Sequence, residues 1–185
     1  MTRKGRIIIL NGVGSAGKSS IAKALQQIAS TPWLHVAMDV FCEMLPAPLQ
    51  DHAQGFLYER REEDGKPVVV IHEGPTGRRV MRGMRRAIRA MAEEGNDLIV
   101  DDVLLGEACA DYEAALAGLT VHWVGVMAPL AVLEERERAR GDRLIGTSRW
   151  QMTRVHEGQR YDLEVDTARM TAMECAEAIK RRFGL

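Results

Sequence analysis

The sequence predicts an α/β fold built on a parallel sheet. Short apolar runs alternate with helical patterns along the whole chain, which is how strands joined by crossover helices read. Three of the runs are rich in Ile, Val and Leu without alternation, as strands covered on both faces should be. A glycine-rich segment joins the first run to the first helix. The 185 residues are 46% hydrophobic and 28% charged, a globular profile. That length suits one domain over 1–185 with a substantial core.

Taken in order, the predicted strands are 6–11, 34–39, 97–103, 120–127 and 163–166, and the predicted helices 18–29, 76–94, 107–117, 129–139, 148–157 and 171–183. The last helix opens on Thr171 with Glu174 three residues on, a capping-box pattern. It closes on Lys180, Arg181 and Arg182 before Gly184, charges and breaker suited to a C-terminus. Residues 46–75 break the rhythm. Pro46, Pro48 and the turn signal Asp64-Gly65, lying between 56–60 and 67–72, predict a loop and a hairpin inserted after the second strand. An insertion there can roof a pocket at the C-terminal edge of the sheet, where open α/β sheets bind ligands. We assign 44–75 to an acceptor-binding insertion and 136–150 to a lid.

Several classes fall away on composition. A formal charge of -1 gives no global positive field, so neither nucleic acid nor an anionic membrane is an expected partner. The apolar run after Arg3, Lys4 and Arg6 covers Ile7 to Leu10, too short for a signal-peptide core, and no later run approaches a membrane span. Cys42, Cys109 and Cys175 form no C-x-x-C pair and fit thiols in a reducing cytoplasm, the expected location. The histidines have no H-E-x-x-H spacing, so no protein-bound transition metal is expected.

Residues 12–19 read GVGSAGKS, with an apolar strand before and an amphipathic helix after. This is the phosphate-binding loop in its required context. Glycines let backbone N–H groups wrap phosphates, and the helix N-terminus adds its dipole. The nucleotide-binding set is Gly12, Val13, Gly14, Ser15, Ala16, Gly17, Lys18, Ser19 and Ser20. Lys18 brings a point charge to the transferring phosphates, and the Ser19 hydroxyl is a magnesium ligand, which implies ATP and Mg2+ as cofactors. The same stretch also spells G-x-G-x-x-G, a dinucleotide fingerprint, but Lys18-Ser19 is superfluous to that role and the chain leaves little room for a separate substrate domain.

Leu98-Ile99-Val100 ends in Asp101-Asp102, where an acid can hold magnesium opposite Ser19. Asp101 fits best, with Asp102 pointing to the other side of the sheet; an isolated Asp pair of this kind would read as a turn or helix cap. Asp39 follows Val36-Ala37-Met38 and is expected at the same sheet edge, where a carboxylate can take the proton of an acceptor hydroxyl. The competing role is an N-cap for a helix at 40–45.

Arg136, Arg140 and Arg143 share a face by three-and-four spacing in EERERARGDR. They can close over the triphosphate as a lid and neutralise charge on the moving phosphoryl group. The alternative is a solvated face laced with Glu134, Glu135 and Glu137. A second stripe, Arg78, Arg82, Arg85 and Arg89, is read as solvent-facing, with Met81, Met84, Ile88 and Met91 packed on the sheet.

With these residues placed, the chain resembles the chloramphenicol phosphotransferase family of shikimate-kinase-type O-kinases over nearly its whole length. The likeness is densest at IILNGVGSAGKSS (8–20), PWL…MD (32–39), LIVDDVLLG (98–106), WVGV (123–126), ARGDR (139–143) and VHEGQRYDLEVDT (155–167). The resemblance implies a P-loop NTPase fold with a five-stranded parallel sheet flanked by helices. It also implies Asp39 as general base, Lys18 and Ser19 on triphosphate and magnesium, and Arg136 and Arg140 as lid arginines. The departures cluster at 44–75, which does not read as the family's antibiotic-binding segment. Where shikimate kinases often carry a second acid, two residues after the first, this chain has Phe41.

The expected activity is transfer of a phosphoryl group from ATP to a hydroxyl of a small molecule, with an antibiotic such as chloramphenicol among the candidates. Two other readings stay open. One is a nucleoside or nucleotide kinase, weakened by the lack of arginine in 40–50. The other is a nucleotide-binding regulatory module, weakened by the absence of an N-K-x-D signature and by an idle Asp39.

Overall fold

The computed structural model describes residues 3–141 and 143–185; Asp142 of the predicted lid lies outside them. Five strands form one parallel sheet: β1 (Arg6–Asn11), β2 (Trp33–Ala37), β5 (Asp97–Asp102), β6 (Thr120–Met127) and β7 (Leu163–Asp166), in the order β2-β5-β1-β6-β7. Helices α1 (Lys18–Ile28), α3 (Pro75–Glu93), α4 (Ala108–Ala115), α5 (Leu130–Arg140) and α7 (Ala172–Phe183) flank it. Successive side chains leave a strand on opposite faces. Ile8 and Leu10 therefore join a core layer with Ile21 and Leu25 of α1 and Ile179 of α7, while Ile7 and Ile9 join another with Met84 and Ile88 of α3. Both faces of the central strands are covered, which is why their sequences do not alternate.

Parallel register brings the C-terminal ends of three strands to one edge. Leu10 pairs with Asp101, Asn11 with Asp102, and Ala37 with Asp101. The second strand ends at Ala37, two residues before the predicted boundary. Met38 begins α2 (Met38–Glu43), because Met38, Phe41 and Cys42 at helical spacing pack against the α3 layer.

The inserted hairpin is present as β3 (Phe56–Glu63) and β4 (Lys66–Glu73), antiparallel across Asp64-Gly65. Both turn residues have positive φ, 51° and 70°, the geometry that a two-residue type I′ turn requires. Helix α6 (Thr147–Met152) is shorter than its predicted 148–157. Val155 is fully buried, and its carbonyl accepts the Asn11 amide at 2.8 Å. The basic stripe on α3 also departs from expectation in two places. Arg85 is buried, 2.9 Å from Asp111 and stacked over Tyr112, and Arg89 donates to the carbonyls of Ala115 and Ala117. These arginines staple α3 to the α4 region instead of facing water.

At the opposite edge of the sheet, buried Asp97 accepts the Arg6 backbone N–H at 2.7 Å and the Arg3 guanidinium at 2.9 Å. Burial pushes its carboxyl up, but the Arg6 N–H and the two guanidinium groups more than offset this and hold it below the usual range. A depressed carboxyl contributes stability above its unfolded value, lost as pH falls through the folded one. Asp97→Ala is expected to cost about 2 kcal/mol in chemical denaturation at neutral pH, and the gap should close as pH drops through the carboxylate range. A gap undiminished in acid would count against this account.

Candidate active site

The loop between β1 and α1 is held in shape from below and from the side. A Cβ on Gly12 would stand 2.6 Å from the Val126 carbonyl oxygen, and Gly17 has φ 91°, so the chain there requires glycine. Ser15 also sits in the left-handed region, with φ 64°. Strain of this kind persists where surrounding contacts over-determine it, and here α6 supplies them. The Gly14 N–H donates to Gln151 Oε1 at 2.7 Å, and the Ser148 hydroxyl oxygen lies 3.3 Å from the Gly14 carbonyl oxygen.

Ser148 is itself fixed by Glu137 of α5. The Glu137 carboxylate is buried and accepts from the N–H groups of Gly146 and Ser148, both at 2.8 Å, and from the Ser148 hydroxyl at 2.9 Å. The helix that carries Arg136 and Arg140 is thus tied through Glu137 and Ser148 to the phosphate loop. Asn11, at the root of the loop, donates its amide to Tyr161 at 2.7 Å and accepts the Leu104 N–H at 2.9 Å. Tyr161 in turn contacts His156 Nδ1 at 2.7 Å, and its ring fills the space beside Gly125. Asp162 takes the Trp123 N–H at 2.8 Å, so the 155–162 run locks β6 and the loop's root together.

Lys18 opens α1. Its Nζ donates to the carbonyls of Gly12 and Val13 at 2.9 and 3.1 Å and lies 3.8 Å from Asp101. Burial lowers its pKa, opposed by Asp101, Asp39 and Asp102. The Ser19 hydroxyl donates to Asp101 Oδ2 at 2.5 Å, and His35 Nε2 of β2 stands 3.5 Å from the same oxygen. Burial pushes the Asp101 carboxyl up, but His35, Lys18 and Ser19 outweigh it, leaving the group below the usual range. Asp102 faces the other way: Tyr112 donates to it at 2.8 Å and the Val103 N–H at 2.7 Å, and burial raises its pKa.

Asp39 lies in the first turn of α2, whose N-cap is Ala37; no side-chain cap bond is made. Its Oδ2 accepts from the Arg143 guanidinium at 2.7 Å. Asp39, Lys18, Ser19, Asp101, Arg140 and Arg143 line one cavity of about 630 Å3, whose outer wall is Phe56, Tyr58 and Ile71 of the hairpin. The hairpin joins the segment after α5 through the Val69 N–H, which donates to the Gly146 carbonyl at 3.1 Å.

Arg136 is not in this cavity. It donates to the Thr167 hydroxyl and carbonyl at 2.9 and 2.8 Å, beside a second cavity of about 710 Å3 bounded by Gly17, Ser20 and the 167–172 segment. Arg136 and Arg140 share α5, whereas Arg143 lies beyond its end, so the three do not form one helical face. Arg140 borders both cavities. No local pattern marks Ser148, Gln151 or Asn11, and Glu137 fits the solvated-face alternative. Glu137, interleaved with arginines, looks solvated, and the others act through contacts distant in sequence.

A glycine-rich loop between a buried strand and a helix, a lysine folded into it and a serine–aspartate pair beside it define the class: a P-loop nucleotide-binding protein. The chain belongs to the chloramphenicol phosphotransferase-like family, whose model matches residues 5–184. Two Mycobacterium tuberculosis proteins, from strains CDC 1551 / Oshkosh and ATCC 25618 / H37Rv, are each 33% identical over 186 residues. The match spans 97% of this chain and 83% of theirs, and their names assign O-phosphotransferase activity provisionally. The fold is shared with the M. tuberculosis APS kinase solved with AMPPNP and APS, at a TM-score of 0.69 and 17% identity, covering 98% of this chain and 99% of that one. It is also shared with the tunicamycin resistance protein of Deinococcus radiodurans, at a TM-score of 0.66 and 22% identity, covering 98% and 97%. Among the described residues no helix is long and apolar enough to cross a membrane.

Proposed function

We propose that this chain transfers the γ-phosphoryl group of ATP to a hydroxyl of a small molecule, with Asp39 as general base. The observation that carries this reading is that Asp39, Lys18 and the Ser19–Asp101 pair line one cavity that the hairpin borders. The triphosphate would lie along the N–H groups of 13–20 with Lys18 at its outer end, and the nucleoside in the flanking cavity beside Arg136. Segment 44–75 is the acceptor roof and 136–150 the lid.

The residues present fit a magnesium ion. Ser19 and Asp101 offer two hard oxygen donors at one point, and Mg2+ is usually held by one or two protein oxygens, water and substrate phosphates. Among the described residues no group of three His, Cys, Asp or Glu side chains could hold an ion by itself. The ion supplies neutralisation of charge on the phosphate oxygens. Asp101→Asn is expected to raise the Mg2+ concentration for half-maximal rate by about tenfold or more, measured by titration at saturating ATP. An unchanged requirement would remove Asp101 from the metal.

In the transfer, the acceptor oxygen forms a bond to the γ-phosphorus as the bond to the bridging oxygen breaks, and that electron pair leaves on ADP. The hydroxyl proton passes to the Asp39 carboxylate, whose Oδ2 also accepts from Arg143. Lys18 and Arg140 meet the charge on the moving group. The test is a screen of hydroxyl compounds, chloramphenicol included, for acceptor-dependent ADP formation. A panel that never accelerates ADP formation, with nucleotide bound, would favour a regulatory module.

A further inference from the structure

Gln151 of α6 stands where the phosphate loop meets the main cavity, and its amide has unspent donors. The residue is 5% exposed and lines that cavity with Gly14, Lys18 and Ser19. Its Oε1 accepts the Gly14 N–H at 2.7 Å. A backbone N–H can only donate, so this bond fixes the amide: the oxygen meets the loop and the NH2 group points elsewhere. Among the described residues Nε2 donates to nothing. It is not one of the side-chain atoms sealed from solvent without a partner, so it keeps access to open space. A nearly buried amide that leaves its donors unused calls for an acceptor from outside the chain, because a buried donor without one is costly.

The neighbours locate that acceptor. Lys18 Nζ donates to the carbonyls of Gly12 and Val13, the two residues before Gly14. Ammonium and amide therefore bear on one short stretch of the loop, at the end where the outermost phosphate is placed above. The loop also spends its Gly14 N–H on Gln151, so at this point a side chain offers donors in place of the backbone. Glu137 lines the same cavity, but both of its oxygens already accept from Gly146 and Ser148. The amide is also held in place. The Gln151 carbonyl accepts the N–H groups of Arg154 and Val155, each at 2.9 Å, and Glu137 fixes Ser148 three residues earlier. A donor fixed before the reaction stabilises developing charge without reorganising.

We infer that Gln151 is a further catalytic residue, whose NH2 group faces the cavity and donates to an oxygen of the γ-phosphoryl group beside Lys18 as that group moves to the acceptor. This rests on the phosphotransfer reading. The bond from Gly14 to Oε1 orients the amide, and the Nε2 end meets the charge. A residue that only braces the loop would need the oxygen alone. Glutamate separates the two roles: its carboxylate still accepts the Gly14 N–H but has nothing to donate.

The test compares Gln151→Glu and Gln151→Met with wild type in the full chain. It reads kcat and KM for ATP with a panel of hydroxyl acceptors, and binding of ADP and of AMPPNP with Mg2+ by calorimetry. Both variants should lose about tenfold or more in kcat, the worth of a hydrogen bond to a charged group. Gln151→Glu should be the poorer, since it sets a negative charge against the phosphate. The ratio of AMPPNP to ADP affinity should fall by about tenfold in both, with ADP affinity within about twofold of wild type. A wild-type rate in Gln151→Glu, whatever Gln151→Met does, would make the residue a brace and overturn the inference. Equal weakening of ADP and AMPPNP in both variants, or a collapse of Tm in both, would overturn it as well. The two readings fail separately. If no acceptor is ever phosphorylated, the phosphotransfer reading falls, while an unchanged AMPPNP-to-ADP ratio in both variants removes Gln151 from the γ-phosphate whether or not transfer occurs.

Discussion

Lys18→Ala should leave a folded protein whose phosphoryl transfer is at least about a thousandfold slower, the largest single loss expected here. Lys18 is 7% exposed and spends its donors on the Gly12 and Val13 carbonyls, so its charge is held at the loop and partly stripped of water. A cation in that setting acts on charge that develops in the transition state with little reorganisation, which is why its removal should fall mainly on kcat. The fold does not depend on it to the same degree. Burial disfavours the charged form, and the surrounding Ile8, Leu10 and Ile21 layer is intact without it. Lys18→Met, which keeps the stem, should therefore show the same kinetic loss with a Tm within about 4 °C of wild type. A rate near wild type in either variant would remove Lys18 from the chemistry. A collapse in Tm would make the residue a structural strut.

Asp39→Asn is expected to lower kcat by about 10²- to 10⁴-fold, the range of general-base contributions, with nucleotide affinity little changed. The amide keeps the shape of the carboxylate and loses its basicity, so the variant separates proton transfer from packing. Asp39 is half exposed in the first turn of α2 and bonded to Arg143, and neither contact reaches the core. The Tm should not move appreciably. Both Asp39→Asn and Asp39→Ala lack the base, but the Asn amide oxygen can still accept from Arg143: equal losses assign the effect to the missing base, whereas a larger loss in Asp39→Ala would assign part of it to a misplaced arginine. Normal turnover in both would end the assignment.

The sheet was legible because buried parallel strands leave near-continuous apolar runs, and Ile7–Leu10, Leu98–Val100 and the 120–127 run have no competing pattern. The phosphate loop was legible for a different reason: its backbone path requires Gly12 and Gly17, so chemistry and conformation select the same residues. The Asp64-Gly65 turn and the Thr171–Glu174 cap are local interactions and so are written locally.

What escaped the sequence depends on contacts made at a distance. Asp39 lies in a helix because Met38, Phe41 and Cys42 find the α3 layer, and nothing within 34–39 records that layer. Arg136 turns to Thr167, 31 residues away, so helical spacing to Arg140 could not reveal its cavity. Glu137 is buried among residues that look solvated because its partners, Gly146 and Ser148, come from the next turn of chain. The close match at 155–162 acquires a physical account from Asn11, Gly125 and Trp123, which it ties to the root of the phosphate loop.

The central claim is that the outermost phosphoryl group of ATP leaves for an alcohol beside Asp39. It is tested most directly by following γ-labelled ATP through a single turnover with each of a panel of hydroxyl acceptors and separating the products. The account predicts label on the acceptor as a phosphate monoester, one for each ADP formed, appearing at least about a hundredfold more slowly in Asp39→Ala. Label recovered solely as inorganic phosphate, or nucleotide held without turnover across every acceptor offered, would contradict it.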